Sequence, residues 1–439
     1  MTEKPVEYSD EKVVIPTYEM GSDDPYPPYF TDITVGAGYI YPYALQDNLG
    51  HVLKDKTYRA LVLENKYLKV TVLPELGGHV YSMYDKTLKK ELLYTNDCMK
   101  PALVSVRGAW CAFGIEHNFP RSHNVTSLSK VTCNAVFHKD GSKSIIVGDT
   151  DRITGMKWIV EITLYKDKSY LKLENKILNN TPFPHPYYYW TNTAIPLTPQ
   201  TQYIFPESMK HAFKHGSIDV NDLVVFPWPI YKGNDLSWNK NIHMRYSLFA
   251  YMLSDDFFGL YHHNLDHGII HVADHKKVPG RKIWSWGVTE DADLRTSTLT
   301  DKSGQYCEVQ CGPIETQGEF RFLKPFTHDS WNQYWYAPKK MKGFRFANEN
   351  AAVNIIRKGT SKIELYVNTT FDMKDGRLAL FVAGKTIFKR TYRITPFKPF
   401  AAVINIPKKC GNEDFVFSIK MPSGAEVIRY NFSLTGRAK

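Results

Sequence analysis

The sequence predicts an all-β protein of antiparallel sheets, and three observations carry that expectation. Aromatic residues are abundant, with 28 Tyr, 24 Phe and 9 Trp in 439 residues, and aromatic and β-branched side chains suit the pleated, half-buried surface of a strand. Short runs alternate apolar and polar at period two, with turn residues between them. No long apolar period of 3.6 residues intervenes, so the spacing belongs to antiparallel sheets.

Residues 1–57 are rich in Pro, Tyr and Asp, as in Asp23-Asp24-Pro25-Tyr26-Pro27-Pro28-Tyr29. They are expected to pack as an extended N-terminal segment over the core, because such a stretch cannot form a regular helix. Regular structure is predicted from Arg59. Tyr67 to Leu73 alternates, Pro74-Glu75-Leu76-Gly77-Gly78 turns the chain, and His79 to Tyr84 returns it as a hairpin. Further strands are predicted at Ala135–His138, Ser144–Val147, Lys157–Tyr165 and Tyr170–Ile177, then an aromatic strand from Pro186 to Ala194. Residues 200–245 read as long loops, which on a β scaffold commonly build binding surfaces. Strands return at Leu248–Met252, Phe257–Tyr261 and Gly268–Val272, and this domain, 58–338, closes near Trp335. Lys339-Lys340-Met341-Lys342-Gly343 reads as a basic linker to a small C-terminal β-sandwich over 346–439.

Several classes of function are excluded by composition. The formal net charge of +10 arises from 55 basic and 45 acidic residues scattered along the chain, without the basic stripe of a nucleic-acid binder. The six cysteines, at 98, 111, 133, 307, 311 and 410, lack zinc-like or disulfide-framework spacing and read as reduced, buried thiols. The polar N-terminus and the lack of any apolar stretch of about 18 residues point to a soluble, cytoplasmic protein with no membrane partner. No Gly-rich phosphate loop, dinucleotide fingerprint or Gly-x-Ser-x-Gly elbow follows a strand, so neither a nucleotide cofactor nor serine-hydrolase chemistry is expected, and no cofactor is assigned.

The residues that could carry chemistry fall in a few stretches. Glu315, in Cys311-Gly312-Pro313-Ile314-Glu315-Thr316-Gln317, is a carboxylate at a strand end, where it could be a general base or an exposed residue after a turn. Arg107 to His123 gathers two Arg, two His, a Glu, an Asn and a Trp around Gly and Pro turns. That mixture suits a sugar, whose hydroxyls need planar polar groups, whose apolar face needs a ring, and whose anomeric centre needs a titratable pair. Glu116 and His123 are the candidate acid–base groups there. Arg107 and Arg121 could contact substrate or serve as ion-pair partners, and His117 should face away from Glu116 on an extended strand. Trp190 and Asn192 share one strand face as candidate sugar contacts, while His185 has a turn role. His271 and Asp274 are candidate pocket residues. His271 and His275 lack the helical context and the Glu of a zinc motif, so no metal is expected. Tyr334 and Trp335 lie in an aromatic strand that could stack on a sugar or fill a core.

Together these stretches resemble the galactose-mutarotase-like superfamily, whose fold is a large antiparallel β-supersandwich. Ile314-Glu315-Thr316-Gln317 resembles the Leu-Glu-Thr-Gln segment of aldose 1-epimerases, and the resemblance implies that Glu315 deprotonates the anomeric hydroxyl. Residues 58 to about 338 are more similar to an uncharacterised domain family placed beside those epimerases. The similarity runs through Leu73 to Gly78, Arg107 to Trp110, Gly114 to Pro120, Tyr189 to Asn192 and His271 to His275. One departure bears on mechanism. Epimerases carry their acid in an Asn-His-x-Tyr-Phe-Asn strand, and the comparable Trp190-Thr191-Asn192-Thr193-Ala194 holds Asn192 in the acid's place, leaving His123 or Glu116 to supply the proton. The expected function is therefore an aldose-epimerase-like enzyme acting on a mono- or oligosaccharide. The alternatives are a glycoside hydrolase with Glu116 and Glu315 as its carboxylate pair, and a carbohydrate-binding protein without turnover.

Overall fold

Strands dominate the computed structural model, which describes residues 4–24, 40–214, 225–407 and 415–434. Two large antiparallel sheets face one another. Among the described residues the first has twelve strands, ordered Glu7–Met20, Leu49–Glu64, Leu68–Leu73, His79–Asp85, Ile115–Asn118, Trp190–Pro196, Tyr306–Gly312, Gly280–Ser285, Tyr246–Tyr251, His211–Lys214 and Val225–Pro227, with Lys90–Glu91 beside His79–Asp85. The second has eight: Thr201–Ile204, Phe257–His262, His267–Val272, Thr327–Tyr336, Leu171–Asn179, Lys157–Leu164, Lys143–Thr150 and Thr132–Phe137. Alternation along these strands sends one set of side chains, including Ile115, Ile195, Val309, Leu173, Trp331 and Trp335, into the core between the sheets. The fold is the expected all-β supersandwich, with a separate C-terminal sandwich of two four-stranded sheets.

The aromatic stretch predicted as one strand from Pro186 is two, His185–Tyr187 and Trp190–Pro196, which pair with different neighbours. Regular structure also begins earlier than Arg59. Glu7–Met20 pairs along Leu49–Glu64 as the edge strand of the first sheet, and an edge tolerates Pro16, which has no amide hydrogen to give a second neighbour. Among the described residues there is one α-helix, Glu290–Ser297, whose N-terminus is capped by Thr289 accepting from the Ala292 amide. Among the described residues no helix is long and apolar enough to cross a membrane. The five described cysteines are free thiols and four are buried; Cys410 and residues 25–39 lie outside the described residues.

The basic stretch after Trp335 is packed rather than open. Lys339 is buried with its Nζ 3.6 Å from Asp85 Oδ2, and the Tyr261 hydroxyl accepts the amides of Met341 and Lys342 at 3.0 and 3.1 Å. Around it Phe257, Tyr261, Ile270, Val272 and Tyr336 of the second sheet meet Met341, Phe344, Ala347 and Ala352. The two units thus share an apolar seam.

One close approach shapes the far face of the first sheet. Gly280 lies opposite Gly312, and a Cβ on Gly280 would stand 1.8 Å from the Ile314 carbonyl oxygen, while one on Gly312 would stand 2.3 Å from that of Tyr189. Only hydrogen at these positions lets residues 313–317 fold back over the sheet. Gly280→Ala is therefore expected to destabilise the fold by about 1–3 kcal/mol through backbone displacement, read as a lower urea midpoint at unchanged slope.

Candidate functional site

A polar row crosses the outward face of the first sheet at its centre. Glu116 lies opposite Asn192, Asn192 opposite Gln310, and Gln310 opposite Lys282. Strands pack about 4.8 Å apart, so these four residues span roughly 14 Å. All are buried. Glu308 stands two residues before Gln310 on the same face. The alternate residues, Cys307, Val309 and Cys311, fill the core between the sheets, and period-two alternation is what leaves Tyr306, Glu308 and Gln310 for the site.

Glu116 is saturated with donors. Its Oε1 accepts from Trp110 Nε1 at 3.1 Å and Ser127 Oγ at 2.8 Å, and its Oε2 from Asn118 Nδ2 at 3.1 Å and His123 Nδ1 at 2.9 Å. Burial alone would raise its proton affinity, but the charge of His123 and these hydrogen bonds hold the carboxyl well below the usual range. The reciprocal effect holds His123 above its ordinary value against the opposing effect of burial. Behind them His79 Nε2 lies 3.3 Å from Ser127 Oγ, and because that hydroxyl gives its hydrogen to Glu116, His79 is the donor. Burial pushes His79 down to about 4, so it is neutral.

His123 also packs between aromatic rings, tilted against Trp110 with centroids 4.7 Å apart and edge-on to Trp190 at 5.0 Å. Trp190 donates its Nε1–H to the Ser122 carbonyl at 3.1 Å. Beyond these rings Tyr94, Tyr306, Trp284 and Trp286 continue an aromatic wall, with Tyr94 and Tyr306 stacked at 4.9 Å and Trp284 and Trp286 edge to face at 4.4 Å.

Glu308 accepts from Gln310 Nε2 at 2.5 Å and from the Tyr306 hydroxyl at 3.5 Å. Burial raises its proton affinity, an effect opposed by His123 and Lys282. Lys282 donates a hydrogen bond from Nζ to Gln317 Oε1 at 2.9 Å and lies over the rings of Trp190 and Phe249. Desolvation brings it down to about 8.

Of the residues singled out in the sequence, Glu116, His123, Trp190 and Asn192 come together here. Glu315 does not share their burial: it is exposed on the turn beyond Gly312, and its neighbour Gln317 is the one that reaches the row. Arg107 is a clamp, donating to the carbonyls of Ala44 and Val125, to Ser129 Oγ and to Asp23 Oδ2, which ties the N-terminal segment to the loop after His123. Arg121 is half-buried on that loop, two residues before His123. His271 and Trp335 pair across the second sheet and point into the core, their rings 4.7 Å apart. Asp274 and Tyr334 line a separate cleft of about 280 Å³ on the second sheet with Glu174, Lys277, Ser330, Trp331 and Asn332.

Sequence reasoning missed Glu308, Gln310, Lys282, Ser127 and His79. A signal for the first two was present, since Tyr306 to Cys311 alternates polar with small apolar residues, marking a strand with one face in a core and one face in a polar site. Among the described residues two clusters meet the spacing of metal ligands, Asp97 with Cys98 and Asp301, and Asp256 with Asp274 and His275. Neither includes a residue of the row, and Asp97 already accepts from Thr300, Lys302 and Ser303.

Glu116→Gln is expected to cost ~3–5 kcal/mol, because it removes the buried anion of this hydrogen-bonded pair and leaves the partly buried His123 without its counter-charge. The sign of the accompanying pH effect is fixed. His123 binds its proton more tightly folded than unfolded, so its stabilisation is complete below about pH 6.5 and is lost as pH rises through its raised folded value. Melting temperatures across that window should fall for the wild type and stay flatter for His123→Asn; equal slopes would contradict the pairing.

Comparison with known proteins follows this geometry. A family model described as a domain of unknown function, DUF5107, matches residues 36–343, and a second, described as the second domain of YphG-like proteins, matches residues 346–430. Among solved structures the chain is similar to a TPR-domain containing protein from Parabacteroides distasonis, at 27% identity and a TM-score of 0.68 over 76% of this chain. The chain spans about 56% of that protein's length. It is also similar to a galactose mutarotase-like protein from Clostridium acetobutylicum, at 12% identity and a TM-score of 0.47, covering 64% of this chain and 96% of that one. Since the first family match takes in well over half of the 439 residues, the protein belongs to the DUF5107 family.

Proposed function

We propose that the protein is an aldose-epimerase-like enzyme that interconverts the anomers of a sugar, with Glu308 as general base and His123 as general acid. The observation that carries this reading is the pairing of two titratable groups of opposite role on one buried face, beside an aromatic wall. A carboxylate whose proton affinity is raised by burial suits a base, and an imidazolium held by Glu116 suits an acid. Glu308 takes the proton of the anomeric hydroxyl while His123 delivers one from Nε2 to the ring oxygen. The ring C–O bond breaks as the anomeric C–O becomes a carbonyl. Rotation about the adjacent C–C bond and closure in reverse yield the other anomer, with both groups restored.

Glu116 orients the acid. Its four hydrogen bonds and low proton affinity suit a permanent anion and not a proton donor to a leaving group, which weighs against a hydrolase built on Glu116 and Glu315. The sequence resemblance to aldose 1-epimerases supports the same chemistry, with the acid moved from the Asn192 position to His123 and the base from Glu315 to Glu308.

The test is a panel of mono- and oligosaccharides followed by NMR for anomeric exchange and for glycosidic cleavage. Exchange without cleavage is expected. Glu308→Gln should lower kcat by at least ~100-fold, the usual worth of a general base, whereas Glu315→Gln should leave it nearly unchanged. The opposite pattern would return the base to Glu315, and binding without exchange would make the protein a carbohydrate-binding module.

A further inference from the structure

The proposed acid and base account for His123 and Glu308 and leave Lys282 unused, although a buried ammonium is costly to keep. Its surroundings are those of a retained cation: the Gln317 oxygen at 2.9 Å and the faces of Trp190 and Phe249 at 5.7 and 5.4 Å. Lys282 faces Gln310 across the strands, and Glu308 faces Trp284, so lysine and glutamate stand diagonally on one face, within reach of each other's long side chains.

We propose that Lys282 is the positioning residue that supplies the counter-charge of Glu308, and that the site thereby takes an uncharged sugar. This inference rests on the reading of Glu308 as base and names the substrate class of that site. The groups around Glu308 are few. The loop contributes His123, already matched by Glu116; the neighbouring strands contribute Lys282 and the neutral Asn192; its own strand contributes Gln310 and Tyr306, the latter kept as a neutral phenol by burial. His79 behind Glu116 is neutral, and Arg281 on the Lys282 strand points the other way, donating hydrogen bonds to the carbonyls of Asp255, Phe257 and Ala273. The two carboxyl groups thus face two basic groups. Among the described side chains around Glu308, no further cation is left to meet a phosphate or carboxylate on the sugar.

Carboxyl-labelled glutamate and carbon NMR give a readout that needs no turnover, with the Glu308 signal assigned by its loss in Glu308→Gln. In Lys282→Met the midpoint of that signal should move up by ~1 unit, the usual effect of removing one nearby opposite charge, and Lys282→Arg should bring it back. An unmoved midpoint overturns the assignment of Lys282. The second arm uses the wild type, so it stands even where the methionine variant does not fold. Neutral aldoses should be interconverted at least tenfold better in kcat/KM than their 6-phosphates or uronic acids, and equal or better turnover of the charged sugars overturns the substrate class. Silence on every sugar would instead refute the epimerase reading and with it the substrate class, while the titration still decides whether Lys282 is the partner of Glu308.

Discussion

The carboxylate of Glu116 is the constraint on which the rest of the site depends. A buried anion is tolerated only when its oxygens are filled, and filling these four positions fixes Trp110, Asn118, His123 and Ser127 at once. Asn118 in turn accepts the Asn124 amide at 2.7 Å, and Asn124 donates to the His117 carbonyl at 2.9 Å. The loop that carries His123 is thereby fastened to the strand it leaves. The Arg107 clamp draws the N-terminal segment onto the same loop, so what reads in the sequence as a candidate substrate contact works as a fastener.

Much of this was legible in the sequence. Period-two alternation and turn spacing announced the sheets, and the change of character after residue 338 announced the C-terminal sandwich. Glu116, His123, Trp190 and Asn192 stood out because charged, aromatic and amide residues crowded between glycines have few bland explanations. The remainder depended on register. Lys282 sits in Gly280-Arg281-Lys282-Ile283, where nothing local tells which of two adjacent cations enters the site and which caps carbonyls behind the sheet. Pairing across to Gln310 settles it.

The core between the sheets also holds polar residues that a strand pattern alone does not separate from a site. His271, Gln333 and Asn175 on the second sheet and His117 and Thr191 on the first all point inward and are fully buried. A polar residue on a strand can be mistaken for a site residue whenever the hidden face carries polar groups too. His117 was separable by its adjacency to Glu116. His271 was not, because Trp335, the ring it packs against, lies more than sixty residues away in sequence and reaches it only through strand pairing.

In the proposed mechanism the base sits on a strand, at Glu308, and not on the turn that follows it, at Glu315, and the two positions differ in physical terms. A side chain on an exposed turn is fully solvated, and it must be ordered and stripped of water each time it acts. One in mid-strand, flanked by Tyr306 and Gln310 and backed by a packed core, holds its geometry before substrate arrives. Burial also raises its affinity for a proton, which a base requires, and would go too far if nothing opposed it. His123 and Lys282 on either side oppose that rise, so the same sheet that withholds water from Glu308 also supplies the charges that favour its ionised form, as the proposed role of base requires.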